Sequence, residues 1–107
     1  MNRQPGLVGS DDFFRALGNV ERRRILVALL TQESIQVPEL TARDDSSSEQ
    51  ARIVELYHHH LPKLVNIGVI EWDIQNWEVR RGSSFDQIRP TLDLLATNDS
   101  VLPGDWL

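Results

Sequence analysis

Apolar residues return every three or four positions in four stretches of the chain, and every second position in one more. The first stretch, Phe13, Phe14 and Leu17, predicts a short helix. Ser10 is placed to cap it, Asp11 and Asp12 suit its positive end, and Gly18 stops it. The second, Ile25, Leu26, Leu29 and Leu30, predicts a helix over about 20–31 capped by Asn19. The third runs through Ile53, Leu56 or Tyr57, His60, Leu61, Leu64 and Ile67, and predicts a long helix over 49–66 ended by Gly68. Pro62 lies inside that pattern and removes the hydrogen bond to the His58 carbonyl, which predicts a kink. The fourth, Phe85, Ile88, Leu92 and Leu95, predicts a last helix starting near Ser84 or, with Pro90 as its first residue, near Arg89.

Ile70, Trp72 and Ile74 alternate with Glu71 and Asp73, which is strand period. With 77–81 as the returning strand, the segment 69–81 reads as a β-hairpin turned by Gln75-Asn76, where Asn tolerates positive φ. Ile35 to Val37 reads as a short strand, and Pro38 opens a helix to Arg43. The polar run 44–48 reads as a loop.

The predicted class is therefore mainly α with a small β-hairpin (α+β). Its order of helix, helix, short strand, helix, long helix, hairpin and helix is the order of a winged helix–turn–helix domain. One domain over 10–98 is expected, between a loose 1–9 and an irregular tail 99–107. A chain of 107 residues with 40% hydrophobic and 25% charged residues can close one core without staples. The absence of cysteine excludes disulfides, thiolate metal sites and a cysteine nucleophile. No apolar run approaches the roughly 20 residues of a membrane span, and the opening residues lack a signal-peptide core. A cytoplasmic protein with no membrane partner is expected.

Charge opposes one function that the element order suggests. The net charge is −5, whereas DNA-binding domains draw affinity from positive charge. DNA binding then requires either that the basic residues share a face or that the protein works at high salt, where screening is short-ranged.

The segment 60–70, His-Leu-Pro-Lys-Leu-Val-Asn-Ile-Gly-Val-Ile, resembles the end of the recognition helix and the start of the wing in ArsR-like winged-helix regulators. The segment 16–26, Ala-Leu-Gly-Asn-Val-Glu-Arg-Arg-Arg-Ile-Leu, resembles that family's opening. The form His-Leu-Pro-Lys-Leu is especially like small winged-helix proteins of halophilic archaea, a likeness that would account for the acidity. The resemblance covers about 12–81. It implies a homodimer held by the terminal helices, here through Phe13, Phe14, Leu92 and Leu95. Two departures stand out: there are no sensor cysteines, and 53–58 is more apolar than a typical base-reading segment, with Glu55 inside it.

The expected function is a sequence-specific, DNA-binding transcriptional regulator. Helix 49–66 would read the major groove, and the wing 69–81 would touch backbone or minor groove. The candidate contacts to double-stranded DNA are Arg22, Arg23, Arg52, His58, His59, Lys63, Arg80 and Arg81. The alternative is a winged-helix module that binds a protein partner and no DNA, which the acids Glu55, Glu71, Asp73 and Glu78 favour. A surface metal site on His58-His59-His60 ranks last, because consecutive α-helical side chains point about 100° apart. No catalytic motif is present, so neither enzyme activity nor a cofactor is expected.

Overall fold

The computed structural model describes residues 8–41 and 49–107. The elements are α1 (Ser10–Leu17), α2 (Val20–Thr31), β1 (Ser34–Gln36), α3 (Val37–Thr41), α4 (Glu49–Glu55), a π turn (Leu56–His60), α5 (Leu61–Ile67), β2 (Ile70–Asp73), β3 (Glu78–Arg81) and α6 (Phe85–Thr97). The predicted loop 44–48, the helix end at Arg43 and most of the loose 1–9 lie outside the described residues. The fold is α+β: mostly helical, with one small antiparallel sheet. Among the described residues, no helix is long and apolar enough to cross a membrane.

Several local expectations hold. The Asn19 side chain accepts from the Glu21 N–H at 2.8 Å and starts α2. Gly68 ends α5 in the left-handed region at φ 93°, where a side chain would be strained. Others are corrected. Gly9, not Ser10, is the N-cap of α1, and it makes no side-chain cap bond. The last helix takes the earlier of the two starts, at Phe85, and carries Pro90 inside it.

The sheet has three strands in the order β1-β3-β2, because β1 pairs with β3 from Ser34↔Arg80 to Gln36↔Glu78. β3 is thus a central strand and not the outer strand of an isolated hairpin. The hairpin turn also differs from expectation. It spans four residues, 74–77, and the residue with positive φ is Trp77 (56°), not Asn76. Asn76 instead donates its backbone N–H and its side-chain amide to the Asp73 carboxylate, at 3.2 and 2.7 Å. The Trp77 carbonyl accepts from Val37 N–H at 2.7 Å, so this strained residue is held on both sides of the sheet connection.

One core joins all the layers. It holds Ala16 from α1, Ile25, Leu26 and Leu29 from α2, Ile35 and Val37 around β1, and Leu56, Leu61 and Leu64 from the long helix. Val69, Ile70 and Val79 close it from the hairpin, and Phe85, Ile88 and Leu92 from α6. The tail 99–107, expected to be irregular throughout, opens with a 3-10 turn over Asp99–Val101, and its end is anchored. The Trp106 side chain is buried, and its carbonyl accepts from Arg23 Nε at 2.7 Å.

Candidate nucleic-acid interface

The long helix 49–67 owes its shape to Pro62. In an unbroken α-helix the Pro62 ring would meet the His58 carbonyl, and no N–H would be there to bond it. The chain widens instead: the Leu61 N–H reaches back to the Leu56 carbonyl, closing a π turn over Leu56–His60. The predicted kink thus takes the form of one inserted residue, located just before the proline. A wider turn narrows the angle between consecutive side chains below the α-helical value. Leu56, His60, Leu61 and Leu64 face the core, while His58 and His59 both line one open groove on the outer side.

That groove lies between α5 and α1. Asp12 and Arg15 form the α1 wall, and His58, His59, Pro62, Lys63, Asn66 and Ile67 form the other. Two carboxylates temper its positive charge: Asp12 Oδ1 lies 2.9 Å from Arg15 Nη1, and Glu55 Oε1 lies 4.0 Å from His59 Nε2. Both pairs are exposed, so their mutual attraction is weak and screened. The groove therefore presents two permanent cations, two imidazoles and the Asn66 amide to solvent.

The other predicted contact residues are placed differently. Arg22 sends Nε to the Arg15 carbonyl at 2.9 Å and Nη1 to His60 Nδ1 at 3.2 Å. Arg23 uses Nε on the Trp106 carbonyl and Nη1 on the Leu17 carbonyl, both at 2.7 Å. Arg81 caps the end of α2, with Nε 2.7 Å from the Leu29 carbonyl and Nη2 3.2 Å from that of Leu30, and its guanidinium lies 5.4 Å from the Phe85 ring centre. Each of these three arginines places two of its N–H groups on partners within the chain. Arg80 points outward, but between Glu78 at 3.3 Å and Glu71 at 4.0 Å. Arg52 is half-buried on α4. Of the eight predicted contacts, the structure brings His58, His59 and Lys63 together in the groove.

A family model described as a domain of unknown function (DUF7344) matches residues 14–80, more than half of the chain. The chain belongs to the DUF7344 family. No curated protein and no solved structure matches it. The DUF7344 segment runs from Phe14 through the long helix and ends on β3 at Arg80. It includes every groove residue except Asp12, and it leaves out α6 and the tail.

The expected dimer residues divide in two. Leu92 is fully buried in the chain's own core, which corrects its assignment to an interface between copies. Phe13 packs partly on that core, Leu95 is half-buried, and Phe14 is 67% exposed. On α6 the exposed leucine is Leu94, at 63%, next to the residue predicted. The helical period places 88, 92 and 95 on one side correctly, but three inward residues complete the core and leave Leu94 outside.

Sequence reasoning missed one feature of the DUF7344 chain, the part that α1 plays in the groove. Arg15 joins the groove from α1, forty-odd positions from the histidines, and no periodicity couples those segments. An aromatic cluster also forms on the far flank of the π turn. The Tyr57 ring lies edge-on to Trp72 at 4.8 Å and to Trp77 at 6.0 Å, locking hairpin to helix. The alternation of Trp72 with Glu71 and Asp73 was the available signal for that contact.

Proposed function

We propose that this chain is a winged helix–turn–helix protein that binds double-stranded DNA as a transcriptional regulator. Helix 49–67 is the recognition helix and the 70–81 hairpin is the wing. One observation carries the reading: Arg15, His58, His59 and Lys63 converge on the outward side of the long helix, within one groove. Phosphate neutralisation needs such a cluster even on an acidic protein, because a duplex responds to the charge it touches more than to the net charge. The element order, with the hairpin locked to the long helix through Tyr57, supports the same reading. The chain acts as a homodimer through Phe14 on α1 and Leu94 on α6, whose exposure leaves apolar surface to cover.

The test is a titration of the full chain against a fragment of its own promoter, at low and at molar salt. Lys63→Glu and Arg15→Glu should each weaken binding by more than tenfold at low salt. Native-like affinity in both variants rejects the groove as the duplex surface.

A second reading has its own observation. The outward sheet face carries Glu71, Asp73 and Glu78 around the single Arg80. Such a face repels phosphate and suits a basic protein partner. If the promoter fragment is not bound at any salt concentration, that reading takes precedence.

A further inference from the structure

His58 and His59 follow one another in the π turn, and both line the groove. We infer that the groove is a phosphate seat whose charge is set by His58 and His59, so that duplex affinity rises as pH falls. The inference rests on the duplex-binding reading for the source of the phosphate and on the groove's own chemistry for the seat.

Among the described residues, four charged side chains surround the two histidines. From α1 come Asp12 and Arg15, and from their own helix come Glu55 and Lys63. His60, the next residue, turns inward to Arg22 and takes no part. With both imidazoles neutral, two cations stand against two carboxylates, and the seat has no net charge. With both protonated, four cations stand against two carboxylates. Imidazole is the side chain whose charge changes between about pH 5 and pH 8, whereas ordinary carboxylates remain ionised down to about pH 4. Protonation of the two imidazoles therefore converts a neutral groove into a cationic one. Lys63 and Arg15 provide permanent attraction, and the Asn66 amide gives a neutral hydrogen bond at any pH.

Counterion release makes this measurable. Each cation that engages a duplex phosphate steepens the plot of log affinity against log salt by about 0.9. The full chain is titrated with a short mixed-sequence duplex over a range of salt at about pH 6 and about pH 8. The native slope should be steeper at the lower pH by about 1 to 2, that is, by one engaged phosphate for one or both histidines. In the doubly substituted chain, His58→Gln with His59→Gln, the slope should be the same at both pH values. Far-ultraviolet circular dichroism confirms that both proteins stay folded.

A native slope that does not change with pH, or a double variant that keeps the native change, overturns the inference while leaving duplex binding intact. A second arm separates the source of the phosphate. Inorganic pyrophosphate is added at about pH 6 while the histidine ring protons are followed by NMR. If pyrophosphate shifts the His58 and His59 rings and the duplex does not, the seat is upheld and the duplex reading fails. If neither probe moves them, both fail.

Discussion

Nη1 of Arg22 lies 3.2 Å from Nδ1 of His60, at the junction of α2, α1 and the long helix. A guanidinium only donates, so Nδ1 must carry the lone pair and His60 is neutral there. Burial first, and the Arg22 charge second, hold its pKa below the ordinary 6.5. The folded chain therefore binds fewer protons than the unfolded one around that value. Stability is complete above the unfolded value of 6.5 and is lost as pH falls through it towards the folded value. The urea midpoint should be lower at about pH 5.5 than at about pH 8, and His60→Gln should flatten that difference. An equal drop in His60→Gln would assign it to other groups.

Neighbouring arginines of β3 should behave oppositely. Arg81 donates to two carbonyls at the end of α2, and replacing it with Ala leaves both without that donor. Arg81→Ala should cost about 2 kcal/mol in urea unfolding. Arg80 holds only exposed ion pairs, and Arg80→Ala should stay within about 0.5 kcal/mol of native.

Gly82 has no room for a side chain. A Cβ there would lie 2.4 Å from the Gly68 carbonyl oxygen and 2.7 Å from Ile70 N, both backbone atoms that cannot swing away. Gly82→Ala should cost about 3 kcal/mol, because hairpin and α5 terminus must separate. Gly9, with nothing near it, should tolerate Ala with little change.

The tail contributes to stability through one residue. Trp106 is 9% exposed, and its carbonyl is gripped by the same arginine that holds the Leu17 carbonyl. Trp106→Ala should cost about 3 kcal/mol, at the lower end for a large aromatic since the site is peripheral. Arg23→Lys should also destabilise, because an ammonium cannot reproduce the two-directional fork.

Two leucines of α6, Leu92 and Leu94, test folding and the proposed association separately. Leu92→Asp places a charge in the closed core and should prevent folding. Leu94→Asp alters an exposed position and should leave the chain folded but monomeric by sedimentation. A native-like dimer in Leu94→Asp would exclude that residue from the interface.

The elements were legible because their periods are strong and their punctuation is local. Asn19 and Gly68 act within their own turns, and the inward stripe of 49–67 needs only side-chain spacing. The turn at 74–77 was misread because Asn76 is drawn to Asp73, and the positive φ passes to Trp77, which is held by contacts with Tyr57 and Val37. Both partners lie far off in sequence. The arginines were legible as charges but not as donors. Whether a guanidinium meets solvent or a carbonyl such as that of Leu29 or Trp106 depends on which chain segment arrives beside it.

By itself the order of residues determined where helices and strands lie, though not every one of their ends, since hydrophobic period, caps and the proline ring act over a single turn. Folding alone decided which cations remain at the surface. It joined Arg15 to His58, His59 and Lys63, and drew Arg22, Arg23 and Arg81 inward, because desolvated carbonyls at helix ends compete for the same donors that a phosphate would take.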